Sequence, residues 1–321
     1  PISGATVVIA NTNTGTSRSV TTDNSGSFFA PNLSVSGAYT VTATASGYQG
    51  KAVEGVGLAV GETAVLSLGL AAAGGGDEIV VVATRTALAE VATGPSAVFS
   101  ASDLANLPAV NRDIKDIVRL DPRINIDESY QRGIRCVGSN ERFNSLTIDG
   151  IRQNDIFGLN DNGYPTQRLP FPFDVAEQVA VEIAPVDVEY GGFTGCNINV
   201  VTKSGSNEFH GRGFLDYQLA GLNGNSLEGD PVSKPDTDEK SFGCVLTGPI
   251  IKDRLFFTAA YEKFSGTDTY ITGPAGGGFV NEVAGVTVAD VSRIQQVMQD
   301  VYGFNAGDIP SSTPDTDARW Y

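Results

Sequence analysis

The stretch FGCVLTGPIIKDRLFFTAAYEKF, Phe242 to Phe264, carries two apolar rows at two-residue spacing, joined by a short charged turn. Phe242, Cys244, Leu246 and Ile250 share one face of the first half, and Leu255, Phe257, Ala259 and Tyr261 share one face of the second, opposite Thr258 and Glu262. Side chains alternate between the faces of a strand, so both halves read as half-apolar β-strands and IKDR (251–254) as the turn between them. Upstream, FHGRGFLDYQLAG repeats the pattern, with Phe209, Leu215, Tyr217 and Leu219 on one face and His210, Arg212, Asp216 and Gln218 on the other. Alternating segments of about ten residues with aromatics near their ends fit outer-membrane barrel strands, although a soluble meander has the same periodicity. The connections favour the barrel: a long polar loop (221–239), a tight turn, then a very long segment from 265 onward, as when extracellular loops alternate with periplasmic turns. Three strands cannot close a barrel, and open edges do not sit in lipid, so the chain is expected to continue past Tyr321. The last segment holds one helix, with Thr287 as N-cap, Asp290 three later, Val291, Ile294, Val297, Met298 and Val301 on one face and Gly303 as stop; it is expected to pack on its own loop.

Residues 86–205 read as mixed α/β. Ser100 with Asp103 forms a capping-box pattern for a short helix that stops at Pro108, and Asn111 is the expected cap of a second, RDIKDIVRL, ended by Asp121-Pro122. Strand candidates follow in GIRCVG, NSLTIDG, EQVAVEIA and CNINVVTK. Residues 1–70 read as a small β-sandwich of short strands, with Tyr39, Val41 and Ala43 alternating against Thr40, Thr42 and Thr44, and a turn at Asn24-Ser25-Gly26. Between them lie the linker AAAGGG (71–76) and DEIVVVATR, in which the β-branched run Ile79 to Val82 has strong strand preference and no hairpin partner. An unpaired strand of that kind invites pairing with another chain, the alternative being that it is an inner strand of the sandwich or of the α/β part that follows.

Composition narrows the function. With 21 basic against 37 acidic residues the net charge is −16, which argues against nucleic acid, whose binding rests on Lys and Arg neutralising phosphates. The one histidine, His210, has no relay partner near it in sequence, so no catalytic constellation is expected. Cys136, Cys196 and Cys244 lack metal-ligand spacing and are expected as three buried free thiols, with one disulfide as the alternative in an oxidising compartment. NDNG at 160–163 would suggest calcium, but Gly158 stands at the first ligand position, and neither a metal nor a cofactor is expected. No segment reaches the roughly 18 apolar residues of a spanning helix.

Residues 1–70 resemble the carboxypeptidase-regulatory-like (transthyretin-like) domain through GATV, TTDNSGSF, GAYTVTATASGY and GETAVLSLGL, lacking only its opening strand, which suggests truncation before Pro1. From residue 77 the order of motifs resembles a TonB-dependent outer-membrane receptor of the Oar-like group. DEIVVVATR is similar to a TonB box, and RDIKDIVRLDPRINID, QRGIRCVGSNERFNSLTIDGIRQND and EQVAVEIAPVDVEYGGFTGCNINVVTKSGSNEFHG are similar to successive plug segments, with Tyr190-Gly191, Gly195 and INVVTKSG in the usual places. FGCVLTGPIIKDRLFFTAAYEKF is similar to the second and third barrel strands. Two departures weaken a siderophore assignment in particular: Cys196 stands where a small residue is usual, and Glu189 stands where some siderophore receptors carry an Arg.

The resemblance implies a mainly β, multidomain protein: a sandwich at 1–70, a linker with TonB box at 71–85, an α/β plug at 86–205 and the start of a transmembrane β-barrel with extracellular loops at 206–321. It implies a Gram-negative outer-membrane transporter, not an enzyme, with a periplasmic N-terminal domain, membrane lipid around it, and energised uptake of a small-molecule, glycan or peptide ligand. Asp77, Glu78, Ile79, Val80, Val81, Val82 and Ala83 would bind the TonB C-terminal domain by strand addition. In GIRQNDIFGLNDNGYPTQRLPFPF, Arg152, Asn154, Asp155, Asn160, Asp161, Asn162, Tyr164, Gln167 and Arg168 are the ligand candidates at the plug apex. Arg132 or Arg135 would be a lock to the barrel, or more plainly a bridge to a plug carboxylate. The alternative is a surface adhesin or carbohydrate-binding β-protein, which needs neither the box nor barrel strands.

Overall fold

The computed structural model describes residues 1–73, 79–82, 89–92, 96–107, 109, 111–128, 132–160, 162–184, 191–222, 224, 226–231 and 238–321. They divide into two compact units, 1–212 with 245–260 and 320–321, and 213–244 with 261–319.

The first unit begins with strands β1 (Thr6–Asn11), β2 (Ser17–Thr21), β3 (Tyr39–Thr44), β4 (Lys51–Val56), β5 (Glu62–Val65), β6 (Ile79–Val82) and β7 (Ala89–Ala92). One sheet runs in the order β2-β1-β3-β4-β6, antiparallel except for the last pair. The alternation read in the sequence sets its sidedness: Val7, Ile9, Tyr39, Val41, Ala43, Val53 and Val56 form one core, with Phe28, Leu33, Leu66 and Leu68 packed on it. The Asp23 carboxylate accepts N–H bonds from Ser25 (2.8 Å) and Ser27 (2.9 Å), closing the turn with Gly26 at φ +78°. The run Ile79 to Val82, which lacks a hairpin partner in sequence, pairs in parallel with β4, and β5 pairs with β7.

The mixed α/β part holds β8 (Ser96–Phe99), α1 (Ala101–Asn106), α2 (Ile114–Val118), β9 (Ile124–Asp127), β10 (Gly133–Cys136), β11 (Ser145–Ile148), β12 (Ile151–Arg152), β13 (Ala176–Ile183) and β14 (Cys196–Thr202). Its sheet runs β12-β11-β14-β13-β8, with β11 and β14 parallel. The Ser100/Asp103 capping box forms as expected. The second helix is capped by Asp113 instead of Asn111, because Arg112 sits at φ +50° and cannot belong to a right-handed turn. Ile114, Ile117, Val118, Ile134, Val179, Val181 and Val200 fill a continuous core. The expectation of three buried free thiols fails: Cys136 and Cys196, both buried, are disulfide-bonded with Cα atoms 5.9 Å apart, and Cys244 is exposed. The unusual Cys196 is therefore half of a staple between β10 and β14.

The remaining strands are β15 (His210–Gln218), a short pair β16 (Ser226–Leu227) and β17 (Asp230–Pro231), then β18 (Glu239–Ile251), β19 (Leu255–Thr269), β20 (Thr272–Ala275), β21 (Asn281–Thr287) and, after α3 (Val288–Tyr302), β22 (Ser312–Trp320). β15, β18, β19 and β22 form one sheet in that order, one strand more than the sequence pattern reveals. In the second unit Glu262, 1% exposed, pairs with Arg319 at 3.0 Å, which also meets Asp317 at 2.9 Å. The Thr287/Asp290 box and Gly303 at φ +64° bound α3, which adjoins β20 and β21 without burying any of its own residues.

Candidate functional site

Three features position function: the sidedness of the long strands, the edge strand β6, and the loop after β12. Along β18 the apolar row faces out: Phe242 is 45%, Leu246 47% and Ile250 62% exposed, while Val245 and Thr247 on the other face are buried. Phe209, Leu215, Tyr217 and Leu255 are likewise exposed. A soluble sandwich turns such a row inward; a lipid-facing wall turns it outward. The inner face meets the α/β part at a cluster of Val175, Val245 and Ala260. Close approach explains the glycine that ends INVVTKSG: a Cβ on Gly205 would lie 2.7 Å from the carbonyl oxygens of Gly248 and Phe257.

Of the strand-addition candidates, Ile79 to Val82 form β6, at the edge of the first sheet and hydrogen-bonded along β4. Asp77, Glu78 and Ala83 lie outside the described residues.

The loop after β12 is held by its own polar side chains. Asp155 accepts N–H bonds from Phe157 (3.2 Å), Gly158 (3.0 Å) and Asn160 (2.7 Å), and the Asn160 amide is the main cause that holds its carboxyl below the usual carboxylate range. Asn154 accepts from the Leu146 N–H and donates to the Asn144 carbonyl, both at 3.0 Å. Asn160 donates to the Pro165 carbonyl, and Asn162 to those of Thr166 and Gln167. Tyr164 is fully buried and donates its hydroxyl to Asp113 at 2.5 Å. Arg152 is exposed and donates to the Gly192 carbonyl; Gln167 is exposed and Arg168 half-buried; Asp161 lies outside the described residues. Three large apolar side chains of the loop also stand out into solvent, Ile156 (89%), Phe157 (85%) and Leu159 (80%), and they are not among the polar ligand candidates.

Beneath the loop lies an ionic layer. Lys115, 2% exposed, places Nζ 4.2 Å above the Tyr164 ring, and burial pushes its pKa from an ordinary 10.5 down to about 8, against the pull of Asp113. Arg132 bridges to Asp116 (2.6 Å) and Glu128 (3.1 Å), and Arg135 to Asp127 (2.6 Å), so both arginines are bound to carboxylates of the α/β part. Among the described residues no group of His, Cys, Asp and Glu is arranged to hold a metal ion.

Comparison with known proteins defines the class first. Residues 1–71 match the model of the carboxypeptidase regulatory-like domain and residues 201–275 that of the outer membrane beta barrel domain. The protein is therefore a mainly β, multidomain outer-membrane protein, with a regulatory-like domain ahead of barrel strands. It is similar to the TonB-dependent transporter Oar of Myxococcus xanthus, 33% identical over 136 residues, which are 40% of this chain and 12% of that protein. The chain thus spans about an eighth of the length of this curated relative. Similar solved structures include the siderophore receptor PirA from Acinetobacter baumannii, 23% identical with TM-score 0.44 over 55% of this chain and 25% of that one. The outer membrane transporter YddB from Escherichia coli is 16% identical, also at 0.44, over 58% and 28%.

Proposed function

We propose that this chain is the N-terminal part of a TonB-dependent transporter that takes up an extracellular ligand across the outer membrane. The observation that carries this reading is the order of parts: a regulatory-like sheet, an edge strand of four β-branched residues, an α/β layer, then strands whose apolar row faces outward. In this reading 1–70 is a periplasmic sandwich, 71–85 a linker with the TonB box, 86–205 the plug, and 206–321 the beginning of the barrel with its loops. The segment Asp77 to Ala83 is taken by the TonB C-terminal domain through main-chain hydrogen bonds, each worth about 1 kcal/mol net. Ligand meets the loop after β12, where Arg152, Gln167 and Arg168 offer polar contacts, while Asn154, Asp155, Asn160, Asn162 and Tyr164 contribute by holding the loop's shape. Asp161 belongs to the same candidate surface. The cargo is a small molecule, glycan or peptide; the fold does not choose among them.

Two arms test the reading on the full-length protein in its own cells. The wild type should fractionate with the outer membrane and be captured by an immobilised TonB C-terminal domain. Deleting Glu78 to Ala83 should leave fractionation unchanged and abolish capture; capture that survives the deletion refutes the box.

A further inference from the structure

We propose that a cavity formed by the loops beside the first sheet, the residues just after β14, the start of β15 and β18 binds a small oxyanion, a phosphate or a carboxylate, on Lys203, His210 and Arg212. The cavity measures about 250 Å³ and is also lined by Ser36, Ser204 and Glu177. That volume lies below the usual small-molecule site of roughly 300–1,000 Å³ and suits a ligand of a few heavy atoms.

The charge distribution selects the ligand's sign. The chain carries −16 overall and one histidine, yet a lysine, that histidine and an arginine occur within residues 203–212 and line one hollow. His210 and Arg212 are two apart on β15 and so share its face. Two carboxylates stand near them. Asp174 lies 3.4 Å from Arg212 but 2.6 Å from Arg112, so one carboxylate is divided between two guanidinium groups. Glu177 is the only carboxyl lining the cavity among the described residues, and burial raises its pKa, favouring the neutral acid, with Lys203 opposing. Lys203 makes no salt bridge among the described residues. Hydroxyls complete the lining: Ser204 donates to Ser36 at 3.1 Å, and either oxygen can turn an O–H toward a bound anion. Lys203 and Arg212 set side by side in one hollow concentrate small anions there. Occupancy of this site is read by binding alone, without reference to transport.

The test uses the full-length protein in detergent with carbon-13-labelled histidine, the His210 imidazole signal being assigned by its loss in His210→Gln. Inorganic phosphate and succinate are titrated separately at constant ionic strength. The expected result is a saturating shift of the His210 signal; saturation by phosphate alone assigns a phosphate ligand, by succinate alone a carboxylate, and by both a general oxyanion site. Lys203→Gln and Arg212→Gln should each weaken binding about tenfold or more, the scale of a lost charge-assisted hydrogen bond, while Lys203→Arg retains it. A linear drift with both anions, or unchanged affinity in Lys203→Gln and Arg212→Gln, overturns the proposal.

Discussion

Lys115 shows how far a single residue can work against the fold that holds it. Its ammonium is buried above Tyr164, and desolvation outweighs Asp113 and Asp116, so the folded pKa falls to about 8. The sign follows from proton counting. Between about pH 8 and 10.5 the unfolded chain binds more protons than the folded one, so stability rises with pH through that window, and at pH 7 the full cost is present. The size is about 3 kcal/mol. Wild-type protein should therefore melt at a higher temperature at pH 9.5 than at pH 7, and Lys115→Met should be more stable at pH 7 and lose that rise; melts followed by circular dichroism at the two pH values decide it. Tyr164 sets the upper limit of the window, because burial first and Asp113 second raise its pKa well above 10, and stability falls again once the unfolded phenol ionises. The sequence presents Tyr164 as one polar group in a polar loop. Its burial depends on Asp113, 51 residues away, a partner that no local pattern signals.

At the scale of elements, what is local is legible and what is remote is not. Both capping boxes and the αL glycine after α3 stand where the residues place them, since a cap is settled within four residues. The α2 cap moved by two residues for one backbone angle at Arg112. β22 escaped notice because its inward row, Asp315, Asp317 and Arg319, alternates with Pro314, Thr316 and Ala318, so polarity does not alternate; the buried Glu262 across the sheet accounts for Arg319. The disulfide joins residues 60 apart, and the sequence alone left it behind three free thiols. Closing a loop of that length restricts the unfolded chain by about 4 kcal/mol in the chain-entropy model. Urea unfolding of the full-length protein should show Cys136→Ala/Cys196→Ala destabilised by about 2–4 kcal/mol, and reduction of the wild type should give a similar loss. A double variant as stable as wild type would contradict a structural staple.

For the whole molecule, the regulatory-like domain ahead of barrel strands is readable because its motifs are short, while the choice between membrane wall and soluble sheet requires three dimensions. Periodicity gives two faces but does not say which is buried; the exposed row of Phe242, Leu246 and Ile250 supplies that. The edge strand changed most between sequence and structure. Ile79 to Val82 is not a bare strand but the parallel neighbour of β4, so the proposed strand addition would have to use its other edge or take it from β4. Recognition through the main chain makes a sharp distinction between substitutions at Val81. Threonine keeps the N–H and the β-branched shape; proline removes the N–H and with it a ladder bond. The most direct measurement is calorimetric titration of the full-length protein with the TonB C-terminal domain. Val81→Thr should bind as wild type does, and Val81→Pro should bind at least about fivefold more weakly; equal affinity for Val81→Pro and wild type would contradict strand addition at this segment.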